Sequence, residues 1–182
     1  MSTLKRVALF SALALTACAT PPQQQPAAGS PQLGTPVEAA ELAAWDISIP
    51  PSGAGLPPGS GSVAQGAAVY EQKCVMCHGV KGAGKPADPL AGGRGTLASK
   101  TPLRTVGSYW PYSTTLFDYV RRAMPITNPL SLTNDEVYAV SAYVLFLNGV
   151  VDEGAVMNAQ TLPQVKMPNR DGFVDEWRGS AG

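Results

Sequence analysis

The sequence predicts a mainly α-helical domain of modest size with irregular extensions at both ends. Three observations predict it. Apolar residues recur at helical spacing in three stretches, strand-like alternation of useful length is missing, and the 182-residue chain carries 17 prolines and 19 glycines concentrated outside those stretches. Charge is balanced at 13 basic and 13 acidic residues. That balance argues against a general polyanion or nucleic-acid binder, because such affinity needs a basic field to release counterions.

Lys5 and Arg6 precede an apolar run from Val7 to Leu15 and the small residue Ala17, the order of an export signal over residues 1–17. The run is too short to span a bilayer. Leu15-Thr16-Ala17-Cys18 resembles the lipobox of bacterial lipoproteins, which implies that Cys18 is lipidated and becomes the mature N-terminus. The alternative is an ordinary secretory signal cut near Ala19. Both place the mature protein outside the cytoplasm: lipid-anchored at the periplasmic face of the outer or inner membrane, or soluble in the periplasm.

Residues 18–44 are dominated by proline, glutamine and alanine, a composition that buries too little surface to offset its ordering entropy, and read as a tether. Flexible coil as far as Ser60 would reach roughly 30–40 Å by square-root scaling. A short helix fits Val37 to Ala44. Residues 45–61 read as an extended segment, Trp45 to Ile49 packing on the domain, followed by a Pro/Gly loop.

The folded unit is expected over residues 62–150. Val63, Ala67, Tyr70 and Cys74 fall on one helical face, so a first helix runs from Val63 into a Cys-x-x-Cys-His turn. Gly79 to Gly95 has no period and reads as loop, as does Thr101 to Ser113. Leu116, Tyr119, Val120 and Ala123 mark a second helix that Pro125 ends. The third is the clearest: Thr133-Asn134-Asp135-Glu136 has the capping-box pattern, Val137 to Leu147 is apolar nearly all round, and Gly149 supplies the stop. Residues 151–182 form a C-terminal extension, and Val150 to Trp177 is expected to wrap the domain, with docking on a dehydrogenase as the alternative.

The chemistry lies at Cys74-Val75-Met76-Cys77-His78. This spacing suits covalent haem c attachment: two thiols reach the two vinyl groups while the adjacent imidazole coordinates iron. His78 is the sole histidine. A structural zinc site needs four N or S ligands, and the mature chain has no further Cys or His to complete one. A thioredoxin-like dithiol would sit at a helix start in a βαβ context, which is absent. The sixth iron ligand is assigned to Met124, at the helix exit and followed by Pro125. Met76 is trapped in the attachment loop, and Met157 and Met167 lie beyond the last helix. A His78/Met124 pair suits an electron-transfer haem and raises its potential. The rival is a haem enzyme or ligand sensor with an open iron position, which the available methionine disfavours.

The order of these parts resembles a class I c-type cytochrome: a helix leading into Cys74-x-x-Cys77-His78-Gly79, a loop with Pro89-Leu90, Arg121-Arg122-Ala123-Met124-Pro125, then a last helix. The resemblance implies the small class I cytochrome c helical fold around one covalent haem. It also implies that the Pro89 carbonyl accepts the histidine's second N–H, and that Gly66 and Tyr143 sit where the terminal helices cross. Over about Asp46 to Val174, the strings Gly55 to Gly61, Gly92 to Thr96, Val106 to Tyr112 and Lys166 to Phe173 resemble the C-terminal haem domain of the cytochrome subunit of the Sox sulfur dehydrogenase. That likeness implies a molybdenum subunit of the sulfite-oxidase type as electron donor, with another cytochrome or an oxidase as acceptor. The single haem motif and the lipid-type signal fit an independent, tethered relative. Arg94 and Trp110 are candidates for hydrogen bonds to the haem propionates, since a guanidinium forks onto carboxylates and an indole N–H donates well.

Overall fold

Ser62 and Thr133 each start a helix by the same chemistry, and those two helices carry the domain. In the computed structural model, which describes residues 34–174, Ser62 caps α2 (Val63–Lys73) by accepting from the Gln65 N–H at 3.2 Å, while Gln65 Oε1 accepts from the Ser62 N–H at 2.8 Å. Thr133 and Glu136 form the same reciprocal box at the start of α5 (Asn134–Leu147). Orphan donors of the first turn are thereby satisfied at both helices.

The chain divides into Met1–Glu38 and Ala39–Gly182. Of the first part, residues 34–38 are described and are exposed without a regular element. The signal segment, Cys18, most of the tether and Trp177 lie outside the described residues. In the second part the order is α1 (Ala39–Trp45), β1 (Ser60–Ser62), α2, α3 (Val75–His78), α4 (Ser113–Ala123), α5 and β2 (Val156–Asn158), with single 3-10 turns at Val80–Gly82 and Leu162–Gln164. No helix among the described residues is long and apolar enough to cross a membrane.

Helix α5 is the central post. Val137, Tyr138, Val140, Ala142, Val144 and Leu145 are all buried, as an all-round apolar helix must be. It crosses α2 at Gly66, where an added Cβ would collide with the Ala139 carbonyl and crowd Tyr143 Cβ. The backbones therefore touch, and Tyr70 and Tyr143 stack beside the crossing with ring centroids 5.3 Å apart. The expected Gly66/Tyr143 crossing is thus observed. Helix α4 packs against the same post through Phe117, whose ring lies 4.5 Å from that of Tyr138.

Several expectations need correcting. Trp45 is the last residue of α1 and is 83% exposed, so the extended contact begins only at Ile47. There Asp118 on α4 accepts from the Ile49 N–H at 3.0 Å and is held from the other side by Arg122, while Ile49 is buried. The first helix does not run unbroken into the Cys-x-x-Cys-His turn: Cys74 leaves helical geometry at φ −123° and α3 restarts beyond it. Helix α4 begins at Ser113, earlier than its apolar markers show, because polar Ser113 and Thr114 are themselves buried, and Ser113 Oγ donates to the Leu162 carbonyl at 2.6 Å. Two three-residue strands pair antiparallel, with Gly61 opposite Met157, an element too short to leave a period in the sequence.

The described part of the C-terminal extension, residues 151–174, packs on the domain. Met157, Leu162 and Met167 are buried in the same core as α5, so residues beyond 150 share that core.

An exposed ion pair ties α2 to α5: Lys73 Nζ lies 2.7 Å from Glu136 Oε1. That hydrogen bond and the Thr133 N–H hold the Glu136 carboxyl below its ordinary range. Because the folded-state value is depressed, the stabilisation is complete above the unfolded carboxylate range and is lost as pH falls through the folded value. The effect is small, since the pair is solvent-screened. Glu136→Gln is expected to lower stability slightly at pH 7 and to flatten the acid limb by the same amount, so that the two curves converge toward pH 3 in denaturant titrations.

Candidate haem-binding site

The attachment turn is fixed by backbone geometry before any cofactor is considered. His78 N–H and Gly79 N–H donate to the Cys74 and Val75 carbonyls at 2.9 and 2.8 Å, making one tight helical turn that presents both cysteines and the histidine. Gly79 then turns the chain at φ +71°, with the Gly84 carbonyl packed where a Cβ would stand. Only glycine takes that conformation without strain. The following loop folds back over the turn: Gly84 N–H donates to the His78 carbonyl at 2.7 Å and Ala87 N–H to the Cys77 carbonyl at 2.9 Å. From beneath, the buried Tyr70 hydroxyl donates to the Gly79 carbonyl at 2.8 Å. Burial, above all, pushes the Tyr70 phenol up to about 12, so it remains a donor.

Cys74 and Cys77 are free thiols. Desolvation, with the neighbouring Cys77 adding and Lys73 opposing, pushes the Cys74 thiol up to about 11. His78 Nδ1 lies 3.0 Å from the Asp88 carbonyl oxygen. This corrects the assignment of that role to Pro89. The oxygen that meets the ring belongs to the preceding residue, Asp88. As donor to that carbonyl, Nδ1 leaves Nε2 for a metal, and the bond fixes ring orientation and raises ligand basicity.

These residues open onto one cavity of ≈ 340 Å³, walled by Tyr70, Cys74 and Cys77 from one side and Leu116, Val120, Val140 and Val144 from the other. His78 and Met124 both line it. Met124 ends α4 in an extended conformation, φ −120° and ψ 144°, with its N–H still bonded to the Val120 carbonyl at 3.0 Å. The rival sulfurs are elsewhere: Met76 is at the rim and 87% exposed, while Met157 and Met167 are buried core residues that do not line the cavity. Among the described residues no cluster of His, Cys, Asp and Glu forms a separate metal site.

Trp110 lines the cavity, its ring edge-on to Tyr119 at 5.8 Å. Arg94 does not. It lines a different, surface cleft with Gly107, Ser108 and Asn169, so the structure separates the two residues assigned to the propionates. The reason is the Gly92–Gly95 turn, where Gly92, Gly93 and Gly95 all have positive φ and swing Arg94 onto the outer face of the loop. Sequence reasoning missed Tyr70 as an anchor of the turn and Asp88 as the histidine's partner. A tyrosine four residues before the first cysteine was the available signal for the former; nothing local marks the latter.

The donor set fits a haem c: two unpaired thiols, an oriented imidazole and a thioether around an apolar cavity. Without a bound group, the apolar wall of Leu116, Val120, Val140 and Val144 would face water, which weakens a small domain. Haem-free protein, made as Cys74→Ala/Cys77→Ala, is expected to lack a cooperative thermal transition by circular dichroism. A sharp transition near that of the haem-loaded protein would contradict this.

Comparison with known proteins agrees with the donor set. The family model described as Cytochrome c matches residues 63–148. A chain in the crystal structure of the sulfane dehydrogenase SoxCD from Paracoccus pantotrophus is 40% identical, with a TM-score of 0.76, over 84% of this chain and 76% of that one. No curated protein sequence matches.

Proposed function

From the premise that this chain belongs to the cytochrome c family, we propose that it is a monohaem, periplasmic electron carrier that accepts electrons from a molybdenum sulfite or sulfur-compound dehydrogenase and passes them to another cytochrome or an oxidase. The observation that carries the reading is that His78 and Met124 line one apolar cavity with Cys74 and Cys77. An imidazole and a thioether in the same cavity would both be available to hold the iron, which favours electron transfer over substrate binding at the metal. The haem, when bound, supplies one-electron chemistry. The chain holds it through Cys74 and Cys77, orients His78 through the Asp88 carbonyl, and excludes water with the Val140, Val144 and Leu116 wall. Burial of this kind and a methionine ligand both favour the reduced state.

The dehydrogenase partner rests on the likeness to a chain of a sulfane dehydrogenase complex. Periplasmic location and a lipid anchor at Cys18 rest on the N-terminal sequence. The test is the visible spectrum of the oxidised protein after adding sulfite or thiosulfate, with and without the host's molybdenum-dehydrogenase fraction. Reduction only in the presence of that fraction is expected. No reduction under any combination would leave a general carrier and remove the sulfur-specific part of the reading. Cys18→Ser is expected to move the protein from the membrane fraction to the soluble periplasm.

A further inference from the structure

Although the whole chain has balanced charge, one face does not. The loop 92–112 and the strap 165–174 meet there. Asn169 Nδ2 donates to the Tyr109 carbonyl at 2.7 Å, and the rings of Tyr109 and Phe173 pack edge-on at 5.2 Å. The guanidinium carbons of Arg104 and Arg170 stand 5.4 and 4.2 Å over the rings of Tyr109 and Tyr112. Arg94 lines a cleft of ≈ 320 Å³ between the same two segments. Asp175 and Glu176 follow the strap in sequence, outside the described residues; within the described residues the loop holds Arg94, Lys100 and Arg104 with no acidic residue, and the strap holds Lys166 and Arg170 with Asp171. All six of these described side chains are exposed.

The cavity mouth is different in kind. Lys73, which lines the cavity, is paired with Glu136. What the rim exposes is apolar: Met76, Tyr119 and Ile126.

We infer that the loop–strap face docks an acidic protein surface and, resting on the reading above, that this surface belongs to the electron donor. An arginine held over a ring by cation–π contact keeps N–H groups for carboxylates and has less rotamer freedom to lose on binding. Arginine and tyrosine around a concave cleft are the composition of interface hot spots. Trp110 belongs to this loop and lines the haem cavity, so a partner seated here lies against a cavity wall and leaves the apolar mouth free for the acceptor. An anionic lipid surface would satisfy the charge, but has no use for a concave cleft beside the arginines.

The test uses the full haem-loaded chain, reduced, with amide shifts followed by NMR during titration with poly-L-glutamate at low salt and, separately, with phosphatidylglycerol vesicles. Polyglutamate is expected to shift residues 94–112 and 166–173. Arg104→Glu/Arg170→Glu is expected to weaken that binding at least tenfold with the haem spectrum unchanged, whereas Lys81→Glu/Lys85→Glu changes it less than twofold. Shifts centred on residues 76–85, equal losses in the two double variants, binding to vesicles but not to polyglutamate, or no binding at all would each overturn the docking face. With the dehydrogenase fraction, the arginine double variant is expected to be reduced at least tenfold more slowly while ascorbate reduces it at the wild-type rate. Failure of the fraction to reduce either protein would sink the donor reading alone, because the polyglutamate arm still decides the face.

Discussion

Met124→Ala lowers the midpoint potential by on the order of 200 mV, a fraction of the roughly 0.8 V over which axial ligation sets haem potentials. The argument begins with position. Met124 is the last residue tied to α4, its N–H on the Val120 carbonyl, and it lines the cavity with His78. A thioether is a soft, weakly donating ligand that favours the reduced iron, and alanine leaves that position to water or to an adventitious donor. No other sulfur can take over without large rearrangement, since Met76 is on the outside and Met157 and Met167 are locked in the core. The fold should survive, because Met124 is half-buried at a helix end and the adjoining wall of Leu116 and Val120 is unchanged. Spectroelectrochemical titration reads the potential, and loss of the sulfur-to-iron charge-transfer absorption reads the ligand. An unchanged potential and spectrum would place the sixth ligand elsewhere.

What could be read from the sequence, and what could not, follows from how local each signal is. The attachment turn was legible because cysteine and histidine identities and spacing are dictated by the cofactor's own geometry. Helix α5 was legible because a capping box and an unbroken apolar run both fall within fifteen residues. The end of α4 at Ala123 was legible because a proline two residues on cannot continue the helix. By contrast, Arg94 was misplaced because a run of positive-φ glycines can send the next side chain to either face, and only tertiary packing decides which. The start of α4 was hidden because Ser113 and Thr114 are buried polar residues, one of them satisfied by a carbonyl 49 positions away. The pairing of Gly61 with Met157 is likewise made between residues whose types say nothing of the partner. The histidine's acceptor missed by one residue, an error of register in a loop with no period to fix it.

Gly66→Ala separates propensity from packing more sharply than any other single change. By helix propensity alone, replacing a mid-helix glycine with alanine should stabilise the protein by about 1 kcal/mol. The structure predicts the opposite sign. A Cβ at position 66 would enter the Ala139 carbonyl and press on Tyr143 Cβ, and the first of these is backbone of a buried helix that cannot rotate aside. Relief requires α2 and α5 to move apart. Overpacking usually costs about 1–3 kcal/mol, and a backbone-to-backbone clash belongs at or beyond the top of that range. A net loss of about 3 kcal/mol is therefore expected in denaturant unfolding of the haem-loaded protein. Ala68→Gly, at an exposed position of the same helix, should cost only the propensity difference of about 1 kcal/mol. The consequence reaches the site, because α2 supplies Tyr70 to the cavity and α5 supplies Val140 and Val144. Spreading the helices admits water to the haem and lowers its potential together with stability. A stabilised Gly66→Ala protein with an unaltered potential would mean that the close crossing of α2 and α5 does not hold the haem wall in place.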